Sequence, residues 1–322
     1  MKFTVRGLLS IALVALPLAT AAQEWAPNGP IRLVVPLAGG TVDALARLVQ
    51  PKLNEIWGQP VVVENKPGSG GNIGADFVAK SPGDGHTLLV AFTAPITVNA
   101  QLYGNLPYDP LKDLAPIMLA VNGHQFLTVH PSVPVNTVAE FVAYAKANSG
   151  KLNYGSIAVG SASHLTMEML KSAAGLQITH IPYKGPALAM TDLMGGQIQA
   201  AFLIAGNVLP HLKTGKMKAL ASTGRTRFGS TPNIPTMIES GFADFEAVGW
   251  IGFMAAGTTP KPALDRWHRE LARVMAMPDV RAKLQTMEFE IVASTPEKFA
   301  EYIRWETPRW GKVVRDTGAK AN

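Results

Sequence analysis

Apolar runs of strand length alternate with stretches of helical spacing along nearly the whole chain. This is the grammar of α/β lobes built on mostly parallel sheets. Ile31 to Val35 reads as a buried strand, and after a small-residue loop Leu45, Leu48, Val49, Leu53 and Ile56 recur on one helical face until Gly58 stops the helix. Val61 to Val63 predicts the next strand, Ala75 to Val78 a short helix, and Thr87 to Ala91 a third strand. Thr137-Val138-Ala139-Glu140 is a capping box that opens a helix ending by Gly150. Leu152 to Gly155 predicts a strand, Leu165 to Ala174 a helix closed by Gly175, and Ile178 to Ile181, Ile198 to Leu203 and Lys218 to Thr223 further strands. Near the C-terminus Pro262 sits in a first helical turn ahead of Leu264, Trp267, Leu271 and Val274, and Thr295-Pro296 starts the last helix.

The beginning of the chain departs from this pattern. Lys2 and Arg6 precede the uncharged run Gly7 to Leu18 and the small residues Ala19 to Ala22, the layout of a secretory signal peptide cleaved near Ala21 or Ala22. The apolar run is shorter than the roughly 20 residues of a membrane span. Residues 1–22 are therefore set aside as a leader, and the mature protein is expected to be exported and periplasmic. There is no cysteine, so disulfides, thiol nucleophiles, zinc-thiolate sites and a lipid anchor on cysteine are excluded. About 300 mature residues favour two lobes over one. The formal charge of +6 falls to +4 without Lys2 and Arg6, and the basic residues are scattered. That distribution gives weak steering of anions and no track for nucleic acid.

Two small-residue loops lie between a strand and a helix: Pro36 to Asp43, containing Ala38, Gly39, Gly40 and Thr41, and Tyr154 to His164, containing Ser156, Val159, Gly160 and Ser161. The first N–H groups of a helix lack internal partners and carry partial positive charge, so each loop is a candidate anion site. Glycine lets a ligand approach the backbone, and serine adds hydroxyl donors. The ordinary reading of a single such loop is a helix cap. Two loops on opposite lobes would form a cleft that closes on a carboxylate.

Ordered blocks along nearly the whole mature chain resemble the Bug-type periplasmic receptors of tripartite tricarboxylate transporters. They include Ile31-Arg32-Leu33-Val34-Val35-Pro36, Val61 to Gly68, Asp84-Gly85-His86-Thr87, Leu106-Pro107-Tyr108-Asp109-Pro110, Pro182-Tyr183-Lys184-Gly185, Asp192 to Gln197 and Pro235-Thr236. The resemblance implies a two-lobe periplasmic-binding-protein fold of the Venus-flytrap type II class and delivery of a small organic carboxylate to a membrane permease. No acid–base pair or activated nucleophile is visible in the sequence, so neither enzymatic activity nor a cofactor is expected, and the protein is expected to be a monomer. Residues 23–124 and 245–322 would form one lobe and 125–244 the other. Its site would comprise Ala38, Gly39, Gly40, Thr41, Thr93, Thr97, Ser156, Val159, Gly160, Ser161 and Ala205. The first loop is one residue shorter than the usual family form, and Ala158 stands where glycine is common.

Other motifs have bland readings. Gly68-Ser69-Gly70-Gly71-Asn72-Ile73-Gly74 lacks the third glycine of a dinucleotide fingerprint and reads as a structural turn. The Ser/His loop has no GxSxG elbow, which weakens a secreted hydrolase, whereas a two-lobe sensor signalling to a membrane partner stays open. Tyr183-Lys184-Gly185 could face the cleft or cap a lobe edge, and Trp250 reads as hinge or core packing. The segments 92–97, 157–159 and 203–207, expected around the ligand's distal end, hold no Arg, Lys or His. An unpaired buried charge is costly, so a monocarboxylate with an apolar or lightly hydroxylated tail is expected over citrate-like acids.

Overall fold

The computed structural model describes residues 25–37, 39–243 and 245–318. The leader assigned to residues 1–22 and Ala38 of the first loop lie outside these described residues. In chain order, β1 (Ile31–Val35), α1 (Gly40–Trp57), β2 (Val61–Asn65), α2 (Asn72–Ala79) and β3 (Thr87–Phe92) form a βαβαβ run. A π-helical turn, Ala94–Val98, leads into α3 (Asn99–Leu102) and then β4 (Leu114–Val129). Next come α4 (Val138–Ala147), β5 (Asn153–Ser156), α5 (Ala162–Ala174), β6 (Thr179–Pro182), α6 (Pro186–Met194), β7 (Ala200–Ile204), α7 (Ala205–Leu212) and β8 (Lys218–Ser222). The chain returns through β9 (Val248–Ala256), α8 (Lys261–Ala276), α9 (Pro278–Thr286), β10 (Glu290–Ile291) and α10 (Pro296–Thr317).

Local signals act as the sequence suggests. Gly58 adopts the left-handed conformation (φ 60°) and its N–H returns to the Asn54 carbonyl, ending α1. Thr137 Oγ1 accepts from the Glu140 N–H at 3.1 Å, but the Glu140 carboxylate reaches the Asn136 N–H instead of that of Thr137. Gly68, Gly70 and Gly71 all have positive φ in a tight turn, so this glycine-rich stretch is a backbone bend.

The strands run in the order β2-β1-β3-β9-β4-β7-β5-β6, with β8 and β10 also paired to β4. β1, β2 and β3 are parallel, as are β5, β6 and β7. The expectation of mostly parallel sheets needs correction, because β4 and β9 run antiparallel to their neighbours and make the sheet mixed. The cause is topological: these strands carry the chain between two halves instead of winding through a crossover helix. β4 is 16 residues long and pairs with β9 through His124, then with β7 from Gln125 and with β8 from Phe126. Each half is a lobe with helices on both faces. In the first, Leu33 and Val90 face α1 and α8, while Val34 and Ala91 face α2 and α10. In the second, Leu127 and Tyr154 face α4 and α5, while Phe126 and Leu203 face α6 and α7. α10 spans the lobes, placing Trp310 and Val314 against Leu102, Leu165 and Ala247.

Candidate functional site

The N-termini of α1 and α5 open onto one cavity between the lobes. Gly39, Gly40, Thr41 and Val42 line it from the first lobe, and Ser161, Ala162 and Ser163 from the second. Its volume is about 60 Å³, above the ~15 Å³ that a cavity needs to hold an ordered water. No side chain caps α1, whose N-cap Gly39 has φ 66°. The unpaired N–H groups of its first turn therefore remain available to an anion. At α5, Ser161 Oγ accepts weakly from the His164 N–H at 3.4 Å.

The second loop is knitted from within. Ser163 Oγ accepts from the Ile157 N–H at 3.0 Å, and the Ser156 and Ser161 hydroxyls both donate to the Ala158 carbonyl, at 3.1 and 2.7 Å. Beneath it His164 and His180 stack with ring centroids 4.1 Å apart, and His164 Nδ1 accepts from the Gly160 N–H at 3.1 Å. Burial pushes the pKa of both histidines down, and each is further lowered by neighbouring positive charge. They are neutral at physiological pH and hold the loop by hydrogen bonds.

Gly39, Gly40, Thr41, Thr93 and Ser161 line the cavity, as the sequence suggested, whereas Thr97, Ser156, Val159, Gly160 and Ala205 do not. The Gly160 N–H is committed to His164, and a Cβ built on Gly160 would lie 2.5 Å from Asn99 Oδ1 and 2.7 Å from Leu102 Cδ2. Gly160 thus serves close approach between the lobes. Of the distal segments, Phe92, Ile157, Leu203, Ile204 and Asn207 reach the cavity. Tyr183 and Lys184 do not: the Tyr183 hydroxyl donates to Asp192 Oδ2 at 2.7 Å, and Lys184 is exposed. Trp250 packs in the core as expected, 2% exposed with Nε1 donating to buried Glu306 at 2.6 Å, and it also lines the cavity.

Sequence reasoning missed Gln125, Gly123, Pro186, Gly249 and Phe289, all of which line the cavity. In the sequence Gln125 closes the polar stretch Asn122-Gly123-His124-Gln125 between two apolar runs, which reads as a loop and not as the middle of the strand β4. Among the described lining residues none has a formally charged side chain. Backbone N–H groups, hydroxyls and two amides must supply all the polarity.

Residues 45–319 match the tripartite tricarboxylate transporter family receptor. The chain belongs to this family. This receptor is 35% identical over 321 residues to protein BugT of Bordetella pertussis, covering 96% of this chain and 98% of BugT. A structure of Rhodopseudomonas palustris Rpa4515 with adipate is 32% identical with a TM-score of 0.86, covering 91% of this chain and 98% of that one. MatC from the same species, with bound malate, is 29% identical with a TM-score of 0.85, covering 89% and 99%. The fold is that of a two-lobe periplasmic binding protein. Among the described residues no helix is long and apolar enough to cross a membrane.

Proposed function

We propose that this receptor captures a small organic carboxylate in the interlobe cavity and hands it to the membrane permease of a tripartite tricarboxylate-type transporter. The observation that carries the reading is the convergence of two helix N-termini, one of them uncapped, on a cavity without charged side chains. Such a site neutralises one carboxylate through oriented backbone N–H groups. Adipate and malate in two structural relatives support the same ligand chemistry. Gly39, Gly40, Thr41, Thr93 and Ser161 are the proposed contacts, with Ala38 as a further member of the first loop. Residues 23–124 and 245–322 form the proposed first lobe and 125–244 the second; the exchange of β4 partners between His124 and Gln125 supports this division. Calorimetry against small acids and their neutral carboxamides tests the reading. Acids bind and carboxamides do not, and the radius of gyration falls on binding because the ligand favours the closed form. Equal binding of acid and carboxamide would refute it.

A further inference from the structure

Gln125 stands in the cavity wall at the point where β4 leaves one lobe and enters the other. It is 1% exposed. Its Nε2 donates to Thr166 Oγ1 at 2.9 Å and to the Ala247 carbonyl at 3.3 Å, which uses both amide protons. The Ala247 carbonyl can only accept, and it also takes the Thr223 hydroxyl at 2.5 Å. A flipped amide would set oxygen against oxygen, so the orientation is determined. Oε1 then has no partner among the described residues. Unlike the sealed Asn99 and Asn122 side-chain oxygens, it is not walled off from solvent space. A nearly buried amide therefore presents one acceptor, and no donor, to whatever fills the cavity.

Resting on the carboxylate reading above, we propose that Gln125 is a specificity-determining residue that selects a carboxylate bearing a neutral hydroxyl, whose proton Oε1 accepts. A hydrocarbon at this wall leaves the acceptor desolvated and unpaired. An ionised second carboxylate has no proton to offer and places negative charge against an oxygen. An ammonium group could donate, but the lining provides no acidic side chain to balance its charge. Phe92, Leu203, Ile204 and Phe289 in the same lining suit an apolar carbon skeleton.

Calorimetry with matched probes decides the matter: 2-, 3- and 4-hydroxybutanoate, butanoate, butanamide, 3-aminobutanoate and succinate, against the wild type and Gln125→Met. In the wild type at least one hydroxy acid binds about tenfold or more tighter than butanoate, the cost of an orphaned acceptor. The same acid also exceeds succinate and 3-aminobutanoate, and its advantage over butanoate collapses to within about threefold in Gln125→Met. Equal binding of butanoate and every hydroxy acid by the wild type overturns the proposal even if Gln125→Met does not fold. So does survival of the preference in that variant, or tighter binding of succinate or 3-aminobutanoate. If butanoate binds and butanamide does not, the carboxylate reading survives such a failure. If no acid in the set binds, both fall.

Discussion

Replacing Glu306 by glutamine should stabilise the protein at alkaline pH and do nothing in acid. Glu306 lies on α10, 2% exposed, with Oε2 accepting from Trp250 Nε1 at 2.6 Å. Burial raises its pKa from 4.5 to about 7, against the opposing pull of the Trp250, Trp310 and Thr97 side chains and the charge of Arg309. Between those values the folded state holds a proton that the unfolded chain has lost, so the free energy of unfolding falls as pH rises. This contribution is fully present below pH 4.5 and lost as pH rises through about 7. At roughly 1.36 kcal/mol per pKa unit the loss is on the order of 3 kcal/mol. Glutamine keeps an acceptor for Trp250 without the charge. Urea unfolding followed by tryptophan fluorescence should therefore give equal stabilities near pH 4.5. The variant should be more stable by about 3 kcal/mol near pH 8. A gap below ~0.5 kcal/mol at the higher pH, the size of an ordinary surface substitution, would refute the argument.

Gly160→Val should leave each lobe folded yet weaken binding by about tenfold or more, because its side chain meets Asn99 and Leu102 across the cleft. Calorimetry and scattering check this, and normal ligand-induced compaction would sink it. Burial depresses the pKa of His164 and His180, so their stabilising contribution is present above pH 6.5 and lost as pH falls through the depressed values. His180→Phe should accordingly flatten the acid limb of stability between pH 6.5 and about 3, read from urea midpoints, and an unchanged slope would contradict this. Thr137→Ala should cost about 1 kcal/mol in the same assay through loss of the cap to Glu140, and a cost near zero would mean the cap is not needed.

Signals that act over a few residues could be read directly. The Leu45, Val49 and Leu53 stripe, the αL stops at Gly58 and Gly175, the Thr137 and Thr295 caps and the short apolar strands all reappear in the fold. Each depends on backbone geometry and side chains within one or two turns. The first-loop glycines were legible as well, since a helix start with no capping side chain is visible in the string Gly39-Gly40-Thr41. β4 and β9 were not legible as strands. Their residues alternate poorly because β4 is buried on both faces and changes partners midway, and an antiparallel return strand whose paired residues lie 124 to 142 positions away leaves no local trace. Gln125 and Gly160 depended on that arrangement. Gln125 is in the cavity wall because β4 crosses between the lobes there, with Thr166 and Ala247 taking its amide protons, and Gly160 is a point of interlobe contact because α3 packs against it. A residue's local preference is written in the chain, but its partners are chosen by the packing of segments far apart in it.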